Sequence, residues 1–280
     1  MILGNYNIEA ASFFVRDKID LIEHEQFDDL FNFAYQYNLI PDVAYMLIKS
    51  GIEFLSRIDF IYPEMFKYCE EFETITIPNS ICLIGRNSFN YNKKLKQVNF
   101  AANSTVQIVE RSAFANCENL QSMSLPDSVR LIEDYAFFKC SNLNHVSLPD
   151  KIDQINCSTF YNCFNLDDIK FPKSLRYIDT RAFFSCHFTD ITLPPEIETI
   201  AEYAFENCKF LTNITIAGNE PKILTTSFLN CLGLQTITYN GSMSRFQQLY
   251  GKQAWYLKKY THASREPKII CNDGIIDLNT

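Results

Sequence analysis

A phenylalanine returns along this chain at a nearly constant interval: Phe66, Phe89, Phe114, Phe137, Phe160, Phe183, Phe205 and Phe228. The spacings are 23, 25, 23, 23, 23, 22 and 23 residues. No other feature constrains the fold so tightly. A unit this short cannot bury an apolar face by itself, so eight of them must stack and share one core.

Other positions keep step with the phenylalanine. A small or modest residue precedes it, as in Ala113, Ala136, Ala182 and Ala204. Three residues after it stands Cys69, Cys117, Cys140, Cys163, Cys186, Cys208 or Cys231, with Asn92 in the second copy. Three further on come Phe72, Leu95, Leu120, Leu143, Leu166, Leu211 and Leu234. Then follow alternating apolar residues such as Met123 and Leu125, Val146 and Leu148, Ile214 and Ile216. That alternation predicts a short strand with one buried face. Proline often ends it (Pro78, Pro126, Pro149, Pro172, Pro194), because proline cannot donate to a sheet ladder. A second apolar pair, such as Ile152 and Ile155, predicts another short extended stretch. The "AFxxC" piece needs a tight turn or one helical turn to bring Phe and Cys inward together. At about 4.8 Å per strand, eight units give a coil roughly 40 Å long. With 47% hydrophobic residues in 280, the chain has ample material for that core.

Copies such as "IEDYAFFKCSNLNHVSLP" and "IAEYAFENCKFLTNITIA" resemble the BspA-like leucine-rich repeat family, over about residues 58–239. The segment "TYNGSMSRFQQL…AWY…IICNDGIID" is similar to the stretch that closes many bacterial members. The resemblance implies an α/β, β-rich leucine-rich-repeat solenoid associated with protein binding and adhesion. Three copies depart from the pattern. The second ends in "FAANSTVQIV", two residues longer, which predicts a surface loop. The sixth is one residue short, so Phe188 should replace the leucine. The eighth has Glu220 where an apolar residue is expected.

Residues 1–57 lack the repeat. Phe27, Leu30, Phe31 and Ala34 have helical spacing, Asp20 and Glu23 suit a capping box, and Pro41 and Gly51 suit the start and end of a second helix. An open solenoid end exposes core and a strand edge, so we expect 1–57 to be a helical cap rather than a separate docking domain. Residues 240–280 should close the other end with a helix carrying Phe246, Leu249, Tyr250 and Trp255 and with strands around Asp273 and Gly274.

Seven of the ten cysteines occupy one repeat slot, which predicts a buried, reduced column rather than bridges or a metal row. Cys157 lies off that slot and is the candidate for a reactive thiol. The four histidines (His24, His145, His187, His262) are scattered, and Cys186 beside His187 belongs to the core slot, not to a nucleophile pair. No phosphate loop, dinucleotide fingerprint or HExxH occurs. Sites for catalysis, cofactor and metal are therefore assigned as none. The net charge of −8 and the short basic stretch "KKYTHASREPK" argue against nucleic acid. No apolar run suits membrane insertion. The beginning of the sequence is a poor secretory leader, which favours a cytoplasmic setting and leaves an extracellular one open. Four glycosylation sequons (Asn103, Asn156, Asn213, Asn240) matter only after secretion.

What remains is surface. The outward residues of the longer strands form two polar rows: Gln97 and Asn99, Ser122 and Ser124, His145 and Ser147, Asp168 and Lys170, Asp190 and Thr192, Asn213 and Thr215. Such a ladder is either a solubilising face or a binding face. It holds no Trp, Tyr or Arg, the residues that dominate binding hot spots, so it suits a polar partner met through hydrogen bonds. His145, Asp168 and Lys170 mark its expected centre. The leading expectation is a non-enzymatic module that binds a protein partner. A surface adhesin for host protein or glycan and a component of a larger assembly, with self-association through the solenoid ends, are the alternatives.

Overall fold

In a computed structural model, described over residues 7–18, 26–49, 53–218, 220–251 and 267–277, each copy of the repeat closes one turn of a β-solenoid. Every turn contributes a two-residue strand and a longer one, numbered alternately along the chain. The short strands are β1 (Phe60–Ile61), β3 (Leu83–Ile84), β5 (Ile108–Val109), β7 (Leu131–Ile132), β9 (Gln154–Ile155), β11 (Tyr177–Ile178), β13 (Thr199–Ile200) and β15 (Lys222–Ile223). The longer ones are β2 (Thr74–Ile77), β4 (Gln97–Phe100), β6 (Ser122–Ser124), β8 (His145–Ser147), β10 (Asp168–Lys170), β12 (Asp190–Leu193), β14 (Asn213–Ile216) and β16 (Thr236–Tyr239). Equivalent strands pair in parallel and in register, as Met123 with Val146 and Ile214 with Ile237. Such pairing places each apolar side chain directly above its counterpart.

The eight phenylalanines form one column. Each is buried, and from Phe89 to Phe228 successive ring centroids lie 5.0–5.5 Å apart with planes within 13°. Burial contributes about 1.5–3 kcal/mol per ring and each stacked pair about 0.5–1.5 more. The column is the strongest element of the fold.

The "AFxxC" piece is a ribbon of tight turns, not a helical turn. Around Phe114, the amides of Ser112, Phe114 and Asn116 donate to Asp134, Ala136 and Phe138 of the next turn at 3.1, 2.8 and 2.7 Å. The alternate amides of Ala113, Ala115 and Cys117 donate back three residues, to Glu110, Ser112 and Phe114. Every amide of the ribbon is thus satisfied. In every turn but the last a left-handed residue stands two before and two after the phenylalanine, as Ser112 (φ 56°) and Asn116 (58°) or Tyr135 (59°) and Lys139 (57°). Each costs about 1 kcal/mol without glycine, and the shared ladder offsets it.

The cysteine slot has a second job besides filling space. The buried thiols of Cys117, Cys140, Cys163, Cys186, Cys208 and Cys231 donate to the carbonyl of the preceding turn's phenylalanine at 3.1–3.3 Å. Asn92 makes the same bond to Phe66 through Nδ2. All described cysteines are free thiols. Burial pushes the thiols of Cys117, Cys140, Cys163, Cys186 and Cys231 up, and that of Cys69 to about 11.

Irregular copies leave visible marks. Phe188 fills the leucine position, edge-on to Phe183 at 5.5 Å. The missing residue also breaks the sheet, because β10 and β12 do not pair. One strand order is β10-β8-β6-β4-β2 and the other β12-β14-β16-β17-β18, with β17 (Lys268–Cys271) and β18 (Gly274–Asp277) forming a closing hairpin. The short-strand sheet breaks between β7 and β9. There the Asn156 side chain donates to the Ile132 carbonyl at 2.6 Å, a bond that a backbone amide makes in other turns, as Glu133 to Val109.

Among the described residues, three α-helices precede the first turn: α1 (Ile8–Asp17), α2 (Phe27–Gln36) and α3 (Ile40–Lys49). Phe31 on α2 meets Phe54 at 5.3 Å and Tyr62 at 5.4 Å, and Phe54 meets Phe66 at 6.4 Å, so aromatic packing continues the column into the helices. At the other end lies α4 (Met243–Tyr250). Glu220 is exposed because it receives Arg245 of this helix, Nε to Oε1 at 2.6 Å, while Tyr250 donates to the Pro221 carbonyl at 3.1 Å. Trp255, His24, His262, Gly51 and the Asp20/Glu23 capping box lie outside the described residues.

Candidate interaction face

The polar rows project outward from the longer strands, as the period-2 alternation requires. Gln97, Ser124, Ser147, Asp168, Lys170, Asp190 and Thr192 are exposed, and Asn99, Ser122, His145, Asn213 and Thr215 are half-buried. Register sets the contacts. His145 lies opposite Asp168, and its Nδ1 is 2.7 Å from the carboxylate; Ser147 lies opposite Lys170. Asn213 Nδ2 donates to Asp190 at 2.5 Å. The break between β10 and β12 divides the face: the eight residues from Gln97 to Lys170 share one sheet, and Asp190, Thr192, Asn213 and Thr215 belong to the other.

The longer second repeat shapes one end of this face. Its loop rises beside the strands, with Asn103 at φ 58°, and Thr105 donates to the Asn79 and Ile81 carbonyls at 2.7 and 3.0 Å. Between loop and sheet lies an open cleft of about 590 Å³, lined by Gln97, Asn99, Ser122 and Ser124 together with Asn103, Ser104, Asp127 and Ser128. The polar part of the lining is hydroxyl and amide with one carboxylate, and Val98, Phe100, Ala101 and Pro126 supply an apolar part. The Ser128 hydroxyl is buried and finds no partner among the described residues. The two extra residues were the sequence's only sign of this cleft.

Among the described residues the thiols and histidines do not converge. Cys186 is buried against the Phe160 carbonyl, and the His187 ring stacks on Phe210 at 4.1 Å. Cys157 is half-buried, with Sγ 3.6 Å from the Ser158 hydroxyl. Among the described residues no group of three His, Cys, Asp or Glu side chains is placed to hold a metal, and no helix is long and apolar enough to cross a membrane.

The family described as "BspA type Leucine rich repeat region" matches residues 59–156 and 131–250, in six copies. The chain belongs to this family. Among solved structures, this BspA-type chain is similar to a leucine rich cell surface protein of Faecalibacterium prausnitzii, at 24% identity and a TM-score of 0.55 over 65% of this chain and 59% of that one. It is also similar to a leucine-rich repeat protein of Bacteroides ovatus (24% identity, TM-score 0.43, 75% and 65% covered). A leucine rich repeat protein of T. pallidum matches at 23% identity, TM-score 0.47, with 64% and 75% covered. The chain thus spans less than two thirds of the first two proteins. No curated protein matches it in sequence.

Proposed function

We propose that this BspA-type chain is a non-enzymatic interaction module whose longer strands present a polar face to a protein partner. The observation that carries this reading is the in-register pair of outward rows, centred on His145, Asp168 and Lys170 and bounded by the polar cleft beside Gln97 and Asn99. A repeated rigid surface needs no ordering on binding, which suits association through many modest hydrogen bonds. Parallel affinity captures from the source cells, with the wild-type chain and with Asp168→Lys/Lys170→Glu, test it. The reading requires a protein retained by the wild type and lost by the double variant. Identical retention by both refutes it.

A second reading puts the same face outside the cell. It is favoured by the F. prausnitzii protein, which shares the fold and is described as a cell surface protein. The buried thiols serve it equally well, since they make no bridges and are shielded from oxidants. This reading displaces the cytoplasmic setting expected from the poor leader. Protease shaving of intact cells followed by detection of the chain separates the two locations.

A further inference from the structure

The Tyr and Arg residues missing from the polar face cluster elsewhere. On the turn ribbon, Phe138, Tyr161 and Phe184 occupy one column just after the buried phenylalanines. Their rings stack at 5.0 and 4.4 Å with planes within 19°. Tyr135 meets Phe138 edge-on at 5.7 Å. All four are half-buried. Cations border them: Arg111 lies over Tyr135 at 5.0 Å and Lys139 over Phe138 at 5.2 Å, and Arg181 lies over Tyr203 at 4.8 Å. None of the three forms an ion pair among the described residues; Glu206, which ends the column, has its carboxyl pushed up by burial, with nearby Arg181 opposing that shift.

We propose that this ribbon is a second docking surface, for an acidic amphipathic helix of a protein partner. It is separate from the polar face and does not depend on it. The stacked rings cover one another's faces, so only their edges are offered. Ring edges carry partial positive charge, and Arg111 and Lys139 reinforce it. Such a surface attracts carboxylates and aliphatic groups, while a nucleobase or sugar finds no free face to stack on. Spacing selects the helix. The ring column repeats at 4.4–5.0 Å. Residues on one face of a helix recur every three or four positions, about 4.5–6 Å apart. Residues on one face of a strand recur every two, about 6.6 Å apart. A helix therefore keeps register with three rungs, and a strand drifts out by about one rung.

Fluorescence anisotropy with the intact chain and two labelled synthetic helical peptides tests this. One peptide carries Leu and Glu along one face; the other has Lys for each Glu. The glutamate peptide is expected to bind and the lysine peptide not. Arg111→Glu/Lys139→Glu should weaken binding of the glutamate peptide about tenfold or more, and Asp168→Lys on the polar face should leave it unchanged. Tyr161→Ser gives a second, uncharged check, its fold verified by circular dichroism, and should also weaken binding. Equal binding of both peptides, binding of neither, or binding that survives the Arg111/Lys139 reversal overturns the proposal.

Discussion

Asn92 is the one residue that departs from cysteine in the core slot, and replacing it with cysteine should stabilise the protein. Its Nδ2 donates to the carbonyls of Phe66 and Phe89, the latter at 3.0 Å. Its Oδ1 is buried and finds no partner. Removing an orphaned buried acceptor recovers about 1–3 kcal/mol. A thiol keeps the bond to Phe66, as six other turns show. The bond to Phe89 is lost, at about 0.5–1 kcal/mol, but that carbonyl still accepts from the Cys117 thiol at 3.1 Å and from the backbone amide of residue 92 at 3.1 Å. The slightly smaller side chain costs about 0.5 kcal/mol in packing. The balance for Asn92→Cys is a gain of about 1 kcal/mol. Urea unfolding followed by circular dichroism, with equal slopes for both proteins, measures it. A loss of more than about 1 kcal/mol would show that the amide is better satisfied than the thiol and would refute the reasoning.

Two further outcomes follow from the thiol row. The thiols of Cys69, Cys117, Cys140, Cys163, Cys186 and Cys231 are held above their ordinary value by burial. Above about pH 8.5 the unfolded chain sheds these protons and the folded chain keeps them, so stability present at neutral pH is lost as pH rises. Each thiol held up in this way adds to the loss, so urea midpoints should fall as pH rises above about 8.5; a flat profile contradicts the buried row. In native protein, a maleimide should label Cys82 and Cys157, the half-buried pair, well before the buried cysteines. Rapid labelling at Cys140 or Cys163 would contradict the burial.

Much of this architecture is legible in the sequence because inward positions repeat the same residue types. The phenylalanine column, the cysteine slot and the substitution of Phe188 for leucine all follow from periodicity. The left-handed ribbon does not. Asparagine, which tolerates that conformation, holds five of its special positions (Asn87, Asn116, Asn162, Asn207 and Asn230), but Glu64, Tyr68, Ser112, Lys139 and Arg181 hold others and share no side-chain property, so the backbone ladder rather than the residue fixes the conformation there. The single missing residue in the sixth copy reads as harmless, yet it divides the face between Asp168 and Asp190. The pairing of His145 with Asp168 follows from strand register, and the rows anticipate it. The aromatic column at Phe138, Tyr161 and Phe184 escapes notice because it spans only three copies. So does the column of Asn119, Asn142 and Asn165, whose amides bond from turn to turn at 3.0 and 3.3 Å.

The central claim is that adjacent turns share one interior. A double-mutant cycle on Phe114→Leu and Phe137→Leu, whose rings stack at 5.5 Å, tests it most directly when set beside the cycle on Phe114→Leu and Phe228→Leu. The neighbouring pair should couple by about 0.5–1.5 kcal/mol and the distant pair should add within about 0.5. Additivity in both cycles, or equal coupling in both, would contradict a stack of turns in contact only with their neighbours.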